Sequence, residues 1–307
     1  MHVPVMVKEA VEMLAVRKNG IYVDGTVGAG GHARAVLERL GGAGMLIGLD
    51  RDADALELAA CNLRPWLGHC RLLHGNFADI QSLVEGAGIR RVDGILLDLG
   101  MSAMQVERGE RGFSFMKDGP LDMRMDRSRK LTAAQIVEET DEKELARIIR
   151  EYGEEPAARR IARAIAIERR QKKPWTTRRL VQTIEFAARW SGGRIHPATR
   201  TFQALRITVN DELGALEKGL EGALALLAPA GRLTVISYHS LEDRLVKHFF
   251  KKHIGRWVSL PEGGESWQGM KPVVRPVTGK PRPASGAEIM RNPRARSAKM
   301  RCIERTE

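Results

Sequence analysis

Between Ile21 and Asp50 the chain reads Ile-Tyr-Val-Asp24, then Gly25-Thr-Val-Gly28-Ala-Gly30-Gly31-His32, then an Ala/Leu/Arg segment to Leu40, then Met45-Leu-Ile-Gly-Leu-Asp50. Two apolar runs each end in an acid. A glycine-dense turn and a helical pattern lie between them. This is the strand–turn–helix–strand unit of a nucleotide-cofactor site, and it places a ligand crevice at the carboxyl ends of parallel strands.

The flanking pattern extends the same architecture. Lys8–Leu14 has the spacing of a short amphipathic helix. Asp52-Ala-Asp54 opens a helix to about Leu63, with acids in the first turn where the macrodipole favours them. Cys70–His74 is a third strand, followed by Asn76-Phe77, and Val92–Leu99 is a fourth, followed by Gly100-Met-Ser102. The alternation predicts a doubly wound parallel sheet. It stops after Ser102. Glu107–Arg129 reads as a long ordered loop, and Ala133–Trp190 is helical by pattern. One further helix is expected over Phe202–Leu227. Strand character returns at Gly231–Ser237, then at Lys271-Pro-Val-Val and Ala298–Glu304. The expected domains are therefore a discontinuous core, residues 1–103 and 209–307, and an inserted all-helical domain, 104–208.

Charge follows that division. Residues 104–208 hold 23 Lys/Arg against 15 Asp/Glu, and residues 251–307 hold 13 against 5. Those stretches carry +16, and the remainder carries −4 of the net +12. Basic charge on the additions, and not on the nucleotide-binding core, points to a polyanionic partner, with nucleic acid or a ribosomal particle first. The three cysteines form no C-x-x-C or zinc spacing, so reduced thiols and no metal are expected. No run of about 18 apolar residues suggests a membrane span. The first residues lack the charged-then-apolar pattern of a signal peptide. Cytoplasmic location is the expectation.

Which cofactor the loop holds is decided by its acids. Gly28-Ala-Gly30-Gly-His-Ala33 with Asp50 fits a dinucleotide site taken alone. Asp24, four residues before Gly28, does not suit a nearby pyrophosphate. It suits a cofactor with a cationic part, and S-adenosylmethionine has an ammonium, a sulfonium and no phosphate. Glycines let backbone approach it, and the helix N-terminus offers N–H groups to its carboxylate. Asp50 can accept ribose hydroxyls, Phe77 is placed against adenine, and Asp98 faces the same crevice.

These motifs resemble those of the bacterial 16S rRNA cytosine-N4 methyltransferases (the ribosomal small-subunit methyltransferase H, or MraW, family). They stand as His2-x-Pro4-Val5-Met6, Asp24-Gly-Thr-x-Gly-x-Gly30-Gly31-His32, Gly48-Leu-Asp50, Asn76-Phe77 and Asp98-Leu-Gly-Met-Ser102-x-x-Gln105. They continue as Arg111-Gly-Phe-Ser-Phe115, Asp118-Gly-Pro-Leu-Asp-Met-Arg-Met125 and His196-Pro-Ala-Thr-Arg-Thr-Phe-Gln-Ala-Leu-Arg206. The last are Ser237-Tyr-His-Ser-Leu-Glu-Asp-Arg244 and Asn292-Pro-Arg-Ala-Arg-Ser-Ala-Lys299. They span nearly the whole chain in order. Tyr238 and Met101 depart from the residues expected there.

The resemblance implies a seven-stranded, Rossmann-like class I methyltransferase sheet with an inserted helical substrate-binding domain. It implies methylation of N4 of one decoding-centre cytidine in 16S rRNA of the small ribosomal subunit. Cofactor contacts are expected at Asp24, Gly28, Gly30, Gly31, His32, Asp50, Phe77, Asp98 and Gln105. Asp98, Ser102, Tyr238 and His239 are the candidate catalytic groups. His239 has a competing reading as a helix cap. Arg111, Phe113, Arg124, His196, Arg200 and Arg206 are the candidate substrate contacts. A homodimer is left open. Two alternatives stand beside this reading. A nicotinamide-dependent dehydrogenase explains the glycine loop but leaves Asp98 and the basic insertion unused. A ribosome-assembly factor could bind S-adenosylmethionine without catalysis.

Overall fold

A computed structural model describes residues 4–189, 196–268 and 272–306. His2, Trp190 and Lys271 lie outside them. The chain divides into two compact units: residues 1–100 with 213–307, and residues 101–212.

The first unit is built on the expected alternation. In chain order it contains α1 (Val7–Leu14), β1 (Ile21–Asp24), α2 (Gly31–Leu40), β2 (Met45–Asp50), α3 (Ala53–Asn62), β3 (Cys70–His74), α4 (Ile80–Gly86) and β4 (Val92–Asp98). The chain then enters the second unit with α5 (Ala103–Glu107), α6 (Ala133–Glu139), α7 (Glu142–Gly153), α8 (Ala158–Glu168), α9 (Thr177–Ala188) and α10 (Pro197–Asn210). It returns through α11 (Glu212–Leu226), β5 (Leu227–Ser237), α12 (Ser240–Ile254), β6 (Arg256–Ser259) and β7 (Glu265–Gln268). It ends with β8 (Val274–Pro276), β9 (Arg282–Pro283), α13 (Gly286–Arg291) and β10 (Lys299–Arg305).

The sheet runs β3-β2-β1-β4-β5-β10-β8, with β9 paired to β10 off that line. Its strands therefore number eight, where seven were expected. The first five are mutually parallel, while β10 is antiparallel to β5. Strands so deeply buried read as continuous apolar runs, as Leu46, Ile47 and Leu49 do in β2. One face packs Val23, Ile95 and Leu97 with Phe77, Leu216 and Leu220. The other packs Tyr22, Leu46 and Leu96 with Val36, Leu37 and Leu63. This makes a three-layer, doubly wound arrangement, and the carboxyl ends of β1, β2 and β4 carry Asp24, Asp50 and Asp98.

The second unit has its own core, including Leu145, Ile149, Ile161, Ile165, Leu180, Ile184, Phe202 and Leu205. The helices α6, α7, α9 and α10 start at polar caps: Thr132, Asp141, Thr176 and His196 each accept a backbone N–H. Such caps contribute about 1 kcal/mol each.

The single helix expected over Phe202–Leu227 is two helices. Asp211, at φ +48°, stands between α10 and α11. Periodicity runs through this junction because Asp tolerates the left-handed conformation without interrupting the apolar spacing. The β6–β7 hairpin and β9 were not expected either. Their strands span only two to four residues, too few for an alternating pattern to register.

Candidate active site

The turn after β1 is held by side chains from neighbouring strands. Gly28 N–H donates to Asp50 Oδ2 (2.8 Å), and Asp52 N–H donates to Asp50 Oδ1 (2.9 Å). Thr26 N–H donates to Asp24 Oδ1 (3.2 Å). Thr26 Oγ1 in turn accepts the Asp98 N–H (2.7 Å). One threonine thus ties the ends of β1 and β4 together. Gly28 and Gly30 sit at φ +52° and +85°, in the left-handed region open to glycine. Gly31 is pressed against Pro4, where a Cβ would collide with the proline ring. Gly30 caps α2 without a side-chain acceptor. The first N–H groups of a helix have no partner within it, which makes this N-terminus suited to an anion.

His32, in the first turn of α2, is only 5% exposed. Its Nε2 donates to the Val5 carbonyl (2.8 Å), and its Nδ1 lies 3.6 Å from Asp98 Oδ2. Tyr238 Oη donates to Asp98 Oδ1 (2.7 Å). The Tyr238 ring stacks over Gly100, whose φ of +99° lets the chain turn beneath it. Among the described residues, Asp24 Oδ2 is buried without a hydrogen-bond partner.

Burial dominates the electrostatics, because a desolvated carboxylate resists ionisation. It lifts Asp24 to about 6, against the pull of His32. It lifts Asp98 to about 7, although the Tyr238 hydroxyl opposes it and Glu242 assists. Asp50 is also raised by burial, with the Asp52 and Gly28 N–H groups opposing. Burial lowers His32. Three acids at successive strand ends therefore share a pocket short of positive charge.

The structure brings Asp24, Gly28, Gly30, Gly31, His32, Asp50 and Asp98 together, with Tyr238 beside Asp98. Phe77 is nearly buried, and a Cβ on Gly219 of α11 would strike its ring. The other candidates have structural work of their own. His239 is the N-cap of α12: its Nδ1 accepts the Glu242 N–H (3.4 Å). Glu242 Oε2 accepts the N–H groups of Tyr238 (2.8 Å) and His239 (3.3 Å). His239 Nε2 lies 3.2 Å from Glu242 Oε1, out of hydrogen-bond alignment.

Ser102 and Gln105 form a reciprocal capping box on α5 in the second unit (3.2 and 3.1 Å). In that unit Arg111 is buried and donates to the carbonyls of Arg124 and Met125 (3.0 Å each). Phe113 lies in the core. Arg124 is paired with Asp122 (2.8 Å). His196 caps α10, contacts Glu185 (3.0 Å) and stacks on Phe115. Arg206 makes a buried two-point contact with Glu212 (2.8 and 2.7 Å). Arg200 is the exception, half-exposed and 3.6 Å from Glu155. Polar motifs that read as substrate contacts thus brace the unit, because a loop as long as Glu107–Arg129 needs buried donors to hold it.

Several contributors were not singled out from sequence. Thr26 stood inside a quoted motif without a role. Glu242 had a usable signal, since an acid three residues after a cap is the capping-box spacing. Glu288 had none: it reaches across 282 residues to accept the Met6 N–H (2.6 Å).

A model of the MraW methylase family matches residues 1–306. The Ribosomal RNA small subunit methyltransferase H of Symbiobacterium thermophilum is 51% identical over 306 residues, spanning 98% of this chain and 96% of that protein. The protein of the same name from Geobacter sulfurreducens is 50% identical over 307 residues, spanning 99% and 98%. That from Methylococcus capsulatus is 50% identical over 302 residues, spanning 98% and 99%.

Proposed function

As this chain belongs to the MraW methylase family, we propose that it methylates N4 of a decoding-centre cytidine in 16S rRNA of the small ribosomal subunit. The relatives' names support the rRNA class. The cofactor is S-adenosylmethionine, which supplies a methyl group activated on a sulfonium. The observation that carries the reading is the unpartnered, buried Asp24 Oδ2 beside Asp98 and Asp50. A buried acid in that state calls for a cationic ligand. The phosphates of a nicotinamide cofactor would meet repulsion there.

In this reading Asp24 and Asp98 balance the cofactor's positive charge. Asp50 keeps a free lone pair on each oxygen for ribose hydroxyls, since each accepts one N–H. The uncapped end of α2 takes the carboxylate. Phe77 borders the adenine, with His32 as a further contact. Cytosine N4 is a weak nucleophile because its lone pair is delocalised into the ring. Acceptors around its N–H groups, such as the Leu99 and Gly100 carbonyls, would draw that pair towards the methyl carbon. Tyr238 is half-buried and could stack on the flipped base. His239 positions Tyr238 through the Glu242 cap.

Mass mapping of 16S rRNA from a deletion strain tests this directly. Loss of one methyl at cytosine N4, restored by the gene, is the expected result. Loss at any other site sinks the substrate assignment. Transfer of tritiated methyl to purified subunits, measured beside oxidation of a reduced nicotinamide, separates the dehydrogenase reading.

The second unit supplies a basic face for RNA. Arg159, Arg160, Arg163, Arg170, Lys172 and Lys173 are exposed. Arg150, Arg159 and Arg160 line one recess with residues 156–158. Replacing Arg159, Arg160 and Arg163 together by alanine is expected to weaken subunit binding and flatten its salt dependence. Each lost phosphate contact removes about 0.7–0.9 from the slope of log K against log salt. Titrations at several salt concentrations measure it, and an unchanged slope would move the RNA face elsewhere.

A further inference from the structure

Resting on the S-adenosylmethionine reading, we propose that Asp98 and His32 form a proton-holding pair that keeps the charge of the cofactor site constant. The pair holds a proton while no cation is present and releases it when a sulfonium binds. It then takes the proton that the substrate amine loses after methyl transfer.

The geometry leaves few places for that proton. The Val5 carbonyl can only accept, so His32 Nε2 carries its hydrogen. In the neutral ring Nδ1 then has only a lone pair, and it faces Asp98 Oδ2 at 3.6 Å. Tyr238 donates to the other oxygen, Oδ1, and brings no hydrogen to Oδ2. An ionised Asp98 would set a carboxylate lone pair against the imidazole lone pair. A proton on Oδ2 or on Nδ1 removes that clash.

The other groups facing the pair are acids. Asp24 stands on β1, Glu242 on α12 and Glu288 on α13, with Asp50 of β2 beyond Asp24. With no cation bound, burial keeps Asp98 near 7 and His32 below its ordinary value, so the proton rests on Asp98. Glu288 serves as a positioning residue. It holds the N–H of Met6, which sits at φ +53°, and so fixes the carbonyl next to it, that of Val5.

The charges balance. S-adenosylmethionine carries one net positive charge, from an ammonium, a sulfonium and a carboxylate. S-adenosylhomocysteine has lost the sulfonium and carries none. In the reaction the N4 lone pair forms the new bond to carbon, and the carbon–sulfur pair stays on sulfur. One N–H bond of the methylated amine then breaks. Its electron pair remains on nitrogen, and its proton ends on Asp98 Oδ2. No further reactant is needed. The positive charge lost at sulfur reappears as that proton, and the buried acids are never left unbalanced.

Calorimetric titration in buffers of different ionisation enthalpy counts the protons exchanged. At pH 6, S-adenosylmethionine is expected to release close to one proton more than S-adenosylhomocysteine. The difference should fade towards zero by about pH 8.5, where Asp98 is already ionised. Tyr238→Phe removes the donor that favours the carboxylate, so the fading should move up by roughly one pH unit. Asp98→Asn should abolish the difference wherever binding persists. Equal proton release by the two ligands at pH 6 in the wild type overturns the pair. A Tyr238→Phe profile that overlays the wild type does the same. Failure of both ligands to bind overturns the cofactor reading itself, a separate outcome.

Discussion

Asp98→Asn is expected to cut methyl transfer to small subunits by about 100-fold or more, a loss typical of removing one preorganised charge from an active site. Asparagine has nearly the same shape. Its backbone N–H keeps the Thr26 hydroxyl, and its amide oxygen can still accept from Tyr238. What disappears is the negative charge facing the crevice and the oxygen facing His32. The fold should survive, because a neutral amide costs less to bury than a carboxylate. Tritiated-methyl incorporation gives the rate, and thermal unfolding shows that the variant is folded. The result distinguishes an enzyme from an assembly factor that only binds the cofactor. Activity within a few-fold of wild type, with unaltered cofactor affinity, would place the chemistry outside this crevice.

The second large effect concerns Arg206. Arg206→Met should destabilise the inserted unit by about 3–5 kcal/mol, since it leaves Glu212 without its two-point partner. Both residues are under 10% exposed, so water cannot replace the lost contact. The double variant Arg206→Met with Glu212→Leu should recover much of that loss, because it removes the stranded charge as well. Thermal unfolding of wild type, single and double variants reads this out. A single variant as stable as wild type, yet impaired in subunit binding, would return Arg206 to the substrate surface.

These two residues show how far the sequence could be read. Asp98 was legible because a strand-terminal acid in a βα alternation has one common place, the crevice at the carboxyl ends of the strands. Asp24 and Asp50 were legible for the same reason. Arg206 was not. A helical arginine in a basic segment looks the same whether it meets a phosphate or a glutamate six residues on. His239 was legible only as a choice, and the answer hung on whether Glu242 closes the cap. Ser102 with Gln105 repeats that case on α5.

Sequence alone determined the strand–helix alternation behind the parallel strands, the acids at their ends, the glycine turn and the basic insertion. Each depends on residues close in the chain, where period, cap and turn chemistry act locally. Tertiary structure alone decided which polar groups are used up in bracing and which are left facing the crevice. Val5 orients His32, Glu288 fixes the strap before it, Thr26 ties β1 to β4, and burial raises Asp24 and Asp98. Those effects depend on desolvation and on partners as much as 282 residues apart, and neither is written into local spacing. The glycine-rich unit at Ile21–Asp50 predicts a nucleotide crevice. The dry, acid-lined interior that suits it to a cation exists only once the sheet has closed around it.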